Sequence, residues 1–318
     1  MANDHANQHA IEVNDLARQF GAVQAVRGIS FRVRRGEIFS LLGPNGAGKS
    51  TTIAMLSGIL APTRGEACIM GRSILKDSRA ARAVLGVVPQ DIALYHDLSA
   101  RENLVFWGKM YGLRGKELNR RVDEVLHLIG LHERQNGRID TFSGGMKRRV
   151  NIGVALLHQP AVMIMDEPTV GIDPQSRRHI LDSVKELNRL GMSILYTTHY
   201  MEEAEELSHQ IAIIDQGSII ASGSHSELVK LVGEQARIDL AVSGDAHLVA
   251  SKWEQIEGVS RVVPNEHSIS VLAADSNLAL PRLFEVAIAC GVRISSVNIR
   301  EPNLEAVFMH LTGKALRD

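Results

Sequence analysis

The stretch that most constrains this chain is GPNGAGKS at residues 43–50. It fits the pattern G-x-x-x-x-G-K-[ST], in which glycines let successive backbone N–H groups turn inward on phosphate oxygens while the following helix offers its positive end. The flanks supply the context such a loop needs. EIFSLL ahead of it is an apolar strand-like run, Ser50 to Leu56 behind it is helical in pattern, and Gly58 is placed to end that helix in the left-handed conformation. The expected ligand is ATP with Mg2+. Gly43, Pro44, Asn45, Gly46, Ala47, Gly48 and Thr51 should form the cradle, Lys49 should contact the β and γ phosphates, and the Ser50 hydroxyl should ligate the metal.

Three further apolar runs, VMIMD (162–166), SILYTT (193–198) and QIAIID (210–215), alternate with helical stretches such as Gln175 to Leu190. Alternating strands and helices imply an α/β fold with a largely parallel sheet, and such sheets carry ligands at the carboxyl ends of their strands. The glycine loop, Asp166, Glu167 and His199 all lie just past strand ends. Asp166 is the expected Mg2+ ligand and Glu167 the expected base on an attacking water. A lone histidine such as His199 is open to a structural role, but its place at a strand end of the same sheet makes it the expected γ-phosphate contact and, with Glu167, a catalytic residue. Gln90, where the sheet region meets a helical one, could reach either Mg2+ or the water through its amide.

Residues 11–42 read as short strands turning at Arg35-Gly36. Residues about 90–160 are helix-rich: Ser99 and Glu102 are spaced as a capping box, Gly112 is a stop, and Leu118, Val122, Val125, Leu126 and Ile129 fall on one helical face closed by Gly130. Past Gly223 the pattern restarts as strand, helix, strand, strand, helix, strand, the order of a small split βαβ sandwich. An amphipathic NLEAVFMHL follows Pro302. Two domains are expected, 1–225 with the nucleotide loop and 226–318 as a small α+β accessory domain.

Composition narrows the partners. The 318 residues are 45% hydrophobic and 22% charged with a formal charge of −1, the balance of a globular protein whose main business is not neutralising nucleic-acid phosphates. A local basic patch at Lys147, Arg148 and Arg149 stays open. The start, MANDHANQHA, has no signal-like apolar core, and no run is long enough to span a bilayer, so a chain neither exported nor membrane-spanning is expected. Cys68 and Cys290 are expected to be reduced, buried thiols.

FSGGMKRR at 142–149 is a second serine-glycine-glycine turn opening a helix, hence a second anion-binding helix end, which one nucleotide held by one chain does not need. In order and spacing, GPNGAGKS, Gln90, FSGGM, Asp166-Glu167, GID (171–173) and His199 resemble the ATPase subunit of ABC transporters over residues 11 to about 223. The resemblance implies a P-loop NTPase cassette whose Ser143, Gly144 and Gly145 close on the ATP held by a second cassette, with Asp173 in the loop that signals across the dimer. It places Phe20 where an aromatic ring stacks on adenine, the alternative being a core aromatic. Family signatures more often carry Leu and Gln where this chain has Phe142 and Met146, and Met cannot supply the amide hydrogen bonds of Gln.

SGGMKRR, TTHYMEEAE (197–205) and EPNLEAVFMHLTG resemble single-cassette subunits of drug, polysaccharide and lipid exporters. Separate transmembrane permease subunits and a second cassette, identical or different, are the implied partners, at the cytoplasmic side of the membrane, engaged through a groove near Gln90. The rival readings are a soluble relative acting on ribosomes or nucleic acid, whose usual fused cassette, coiled-coil insertion and zinc modules this chain lacks, and a non-hydrolysing nucleotide-regulated scaffold, which Glu167 and His199 disfavour.

Overall fold

The computed structural model describes residues 8–231, 235–243, 246–265, 268–300 and 303–312. Pro302 lies outside them. The chain divides into two compact units, the first running to His225 and the second beginning at Ser226.

The first unit starts with the antiparallel hairpin β1 (His9–Phe20) and β2 (Val23–Arg34), followed by β3 (Ile38–Leu42) and α1 (Lys49–Leu56). Next come β4 (Arg64–Ile69), β5 (Arg72–Ser73), α2 (Ser78–Ala83) and β6 (Leu85–Val88). Helices α3 (Ala100–Met110), α4 (Gly115–Leu128) and α5 (Gly144–Leu156) follow. The unit then alternates β7 (Val162–Asp166), α6 (Pro174–Arg189), β8 (Ser193–Thr198), α7 (Met201–Leu207), β9 (Gln210–Asp215) and β10 (Ser218–Gly223), with α8 (His225–Leu231) crossing into the second unit. Strands β2-β1-β4-β5 form one sheet. The other has the order β10-β9-β3-β8-β7-β6, parallel except for the edge strand β10.

The apolar runs are continuous because the parallel sheet is covered on both faces. Along β7 the side chains alternate between two cores: Met163 and Met165 pack with Leu104, Val122, Leu126 and Val150 of the helical layer, while Val162 and Ile164 pack with Met55, Leu56 and the β1–β2 hairpin. Burying each such aliphatic side chain contributes about 1.5–3 kcal/mol. The period-2 pleat thus sends successive residues of one strand into different layers. Helix α3 has the expected capping box: the Ser99 hydroxyl accepts from the Glu102 N–H and the Glu102 carboxylate from the Ser99 N–H. The face of α4 carrying Leu118, Val122, Val125 and Leu126 is buried.

The second unit contains β11 (Ala236–Ser243), α9 (Ala246–Trp253), β12 (Val259–Pro264), β13 (Ser268–Ala273), α10 (Ser276–Ala289), β14 (Arg293–Arg300) and α11 (Leu304–Thr312). Its sheet is antiparallel in the order β12-β13-β11-β14, the arrangement of a split βαβ sandwich. Ile238, Leu240, Ile269 and Val271 face a core shared with α9 and α10, where the buried Trp253 indole donates to the Leu283 carbonyl at 3.0 Å.

Two expectations need correction. Cys68, on β4, and Cys290, which follows the last residue of the helix Ser276–Ala289, are free thiols but half-buried rather than buried, and burial with nearby Glu66 pushes the Cys68 thiol up. The basic run 147–149 is not a patch. Arg148 is 3% exposed, and the half-buried Arg149 is turned to the carbonyls of Ile129 and Gly130 at the end of α4.

Candidate nucleotide site

The sheet order builds the site. Strand β3 lies between β8 and β9, and in the parallel register Leu42 stands opposite Thr198 while Asp166 stands opposite Thr197. All three chains therefore leave the sheet at one level, and the residues that follow them converge. The Gly43 N–H bonds the Thr198 carbonyl at 3.3 Å, and a Cβ on Gly43 would overlap the Ile214 carbonyl. Gly48 takes φ 107°, and a Cβ there would lie 2.6 Å from the Ala25 carbonyl. These two positions require glycine, one for space and one for space and backbone conformation together. The turn after β9 braces the loop: the Gly217 N–H bonds the Ala47 carbonyl and the Gly217 carbonyl receives the Arg27 N–H.

Asn45, Gly46, Gly48, Lys49, Ser50 and Thr51 line a cavity of about 360 Å3 together with Ala25, Gln90 and Glu167. The Lys49 ammonium is buried, donating to the carbonyls of Gly43 (2.5 Å) and Pro44 (3.0 Å) and pairing with Glu167 at 2.9 Å. The second Glu167 oxygen accepts from His199 Nδ1 at 3.0 Å. Glu167 takes φ 44°, an uncommon conformation for a side chain of its size, and is held by its N–H on the Thr197 hydroxyl and carbonyl. Asp166 is buried and accepts from the same hydroxyl at 2.7 Å. Lys49, Glu167 and His199 thus form one hydrogen-bonded chain at the edge of a phosphate-sized cradle.

The residues suit Mg2+. The Ser50 hydroxyl, the Asp166 carboxylate and the Gln90 amide offer only oxygen donors, and Mg2+ is commonly bound by one or two carboxylates completed by phosphate and water. Among the described residues no cluster of three or more His, Cys, Asp or Glu competes as a metal site.

Phe20 ends β1 at 46% exposed, with the Arg18 guanidinium 4.6 Å over its ring. This excludes the core alternative. Ser143, Gly144 and Gly145 do not join the cavity. Ser143 caps α5 by accepting from the Met146 N–H, and Gly145 packs so tightly on the start of α6 that a Cβ would overlap Ser176. Met146 lies against the helical-layer core. Asp173 caps α6, accepting from the Ser176 N–H at 2.9 Å, and that bond holds its carboxyl below the usual range.

Three side chains at the site escape a sequence reading. Arg148 donates to the Pro89 carbonyl at 2.6 Å and the Gln90 carbonyl at 2.5 Å, so the helix carrying Ser143 holds the backbone carrying Gln90. Asn151, one turn on, spans Asp91 and Ala93 at 3.4 Å. The third is Glu203, buried although it stands in the acidic first turn of α7. Arg148 and Asn151 have no local signal, since their partners lie 58 to 60 residues away, and Glu203 reaches Thr169, 34 residues away, as well as Tyr196 and Thr198 on the preceding strand.

Residues 26–170 match the family described as ABC transporter. The linearmycin resistance ATP-binding protein LnrL of Bacillus subtilis (strain 168) is 48% identical over 310 residues, covering 97% of this chain and 100% of that protein. The Nod factor export ATP-binding protein I of Paraburkholderia xenovorans (strain LB400) is 38% identical over 309 residues, covering 97% and 99%. Among solved structures, a dimeric ATP-binding cassette in a post-hydrolysis state bound to ADP and Pi matches with a TM-score of 0.60 at 25% identity, over 67% of this chain and 98% of that one.

Proposed function

The chain belongs to the ABC transporter family as an ATP-binding subunit and is an ATPase, and on that premise we propose that it is the motor of an exporter whose transport path lies in separate permease subunits. Among the described residues no helix is long and apolar enough to cross a membrane. The names of the relatives, one a resistance protein and one an export protein, favour outward transport. The protein would then sit at the cytoplasmic side of the membrane through its permease.

The observation that carries the reading is the chain Lys49–Glu167–His199 at 2.9 and 3.0 Å beside the glycine cradle. Backbone N–H groups of residues 46–50 and the Lys49 ammonium hold the ATP phosphates. Phe20 offers its exposed face to adenine. Ser50, Asp166 and Gln90 would hold Mg2+, which supplies charge neutralisation on the phosphates. Glu167 accepts a proton from the attacking water, and His199, donating through Nδ1, fixes the carboxylate that does so. Ser143 to Gly145, on a helix end apart from this cavity, close on the nucleotide of a second cassette, and Asp173 stands at that junction. Two copies of this chain, or this chain with another cassette, then enclose two ATP molecules.

Glu167→Gln keeps the cradle and removes the base. It should bind ATP with unchanged affinity, lower kcat about 10²–10⁴-fold, and elute as a dimer with Mg·ATP in size-exclusion chromatography. Lys49→Ala should instead weaken ATP binding itself. Wild-type turnover by Glu167→Gln would refute the assignment of the base. Export is checked by co-purifying the permease and measuring cargo efflux, which Glu167→Gln should abolish.

A further inference from the structure

Glu203 is 2% exposed. A carboxylate taken out of water at an apolar helix–sheet contact costs several kcal/mol unless its oxygens are filled. Here they are filled from three elements. Oε1 accepts from the Thr169 hydroxyl at 2.6 Å and lies 3.7 Å from Arg177 Nε; Oε2 accepts from the Tyr196 hydroxyl and the Thr198 hydroxyl, each at 2.9 Å. Burial, then the charge of Glu203, raises the Tyr196 pKa well above its ordinary value, so that hydroxyl stays a donor. The two oxygens have lone pairs enough to accept all three hydroxyls.

The partners bracket the hydrolysis site. Thr169 lies in the turn between Glu167 and Asp173. Thr198 precedes His199, and its oxygen also accepts the Tyr200 N–H at 2.9 Å, so both neighbours of His199 are pinned. Arg177 stacks over the Tyr200 ring at 4.3 Å, and its own N–H bonds the Asp173 carbonyl at 2.8 Å. The Tyr200 ring in turn lies 4.2 Å from that of His199.

Resting on the ATPase reading above, we propose that Glu203 is a positioning residue for hydrolysis: its buried carboxylate sets His199, and through it Glu167, in register with the 169–173 turn that faces the second cassette. It does not line the cavity at the glycine loop. A displacement of about 1 Å at a reacting group can cost roughly 10²-fold in rate. The network therefore acts on kcat, while the cradle at 43–51, which has no bond to Glu203, sets ATP affinity.

The test compares Glu203→Gln with wild type in the full chain, reading kcat, the Kd of a fluorescent ATP analogue, and Tm. Gln keeps the volume but has one acceptor oxygen in place of two and presents an amide toward Thr169 or Thr198. The expected result is kcat lower by about 10-fold or more, with Kd within about twofold and Tm within a few degrees. Thr198→Val removes one hydroxyl of the network at constant shape; it should show the same split and decides the matter if Glu203→Gln does not fold. Unchanged kcat in the folded variants overturns the proposal, as does a loss of kcat, Kd and Tm together, which marks a merely structural role. Wild-type protein that binds ATP without hydrolysing it would refute the ATPase reading instead.

Discussion

Arg148 and Glu203 carry charge into the interior, and each joins pieces of the site that the sequence lists far apart. For Arg148 the consequence is specific. Its guanidinium is the fork that holds the carbonyls of Pro89 and Gln90, and each such charge-assisted bond is worth about 1.5–3 kcal/mol. Arg148→Lys keeps a cation but cannot span two carbonyls. It should lower kcat about 10-fold through misplaced Gln90 while leaving the Kd for ATP within about twofold, measured by steady-state ATPase and equilibrium binding. Equal kcat for both proteins would remove Arg148 from the site. At this scale the sequence made GPNGAGKS, Asp166, Glu167 and His199 legible because a strand end or a glycine loop announces each. It presented Arg148 as part of a basic run and Glu203 within the acid-rich stretch TTHYMEEAE. Whether a charged side chain faces solvent or a carbonyl 58 residues away depends on tertiary packing, which local pattern does not encode.

Among elements, the long apolar strands and their intervening helices were legible from pattern, as was the α3 capping box, whose two bonds are local. The segment between Gly58 and Gln90, which holds β4, β5, α2 and β6, gave no comparable signal. Its strands are short, and β4 and β5 are only partly buried because they lie toward the edge of the hairpin sheet. The contact between the starts of α5 and α6 was equally silent, though Gly145 marks it. Gly145→Ala places a methyl against Ser176, so one helix end must move. Overpacking of this kind costs about 1–3 kcal/mol. Urea denaturation should show that loss in Gly145→Ala. Ser176→Gly, which empties the contested space, should restore part of it in the double variant while costing up to about 1 kcal/mol by itself. Strictly additive losses would mean that the two residues do not meet.

The molecule as a whole contains separate hydrophobic cores, those around the parallel sheet in the unit ending at His225 and another around Trp253 in the unit that follows. The chain has two tryptophans, and they fall one to each unit, Trp107 on α3 and Trp253 on α9. Nucleotide that binds only the folded first unit stabilises that unit by mass action, about 2.7 kcal/mol at a hundredfold excess over Kd. For a unit of this size each kcal/mol is worth roughly 2–4 °C, so the expected rise is about 5–10 °C. In the Glu167→Gln background, where ATP is not consumed, Trp253→Phe leaves Trp107 as the reporter and its melting transition should rise by that amount with Mg·ATP. Trp107→Phe leaves Trp253, whose transition should stay where it was without nucleotide. Equal shifts at both reporters would mean that the accessory unit unfolds with the cassette, and its core would then count toward the stability of the ATP site rather than beside it.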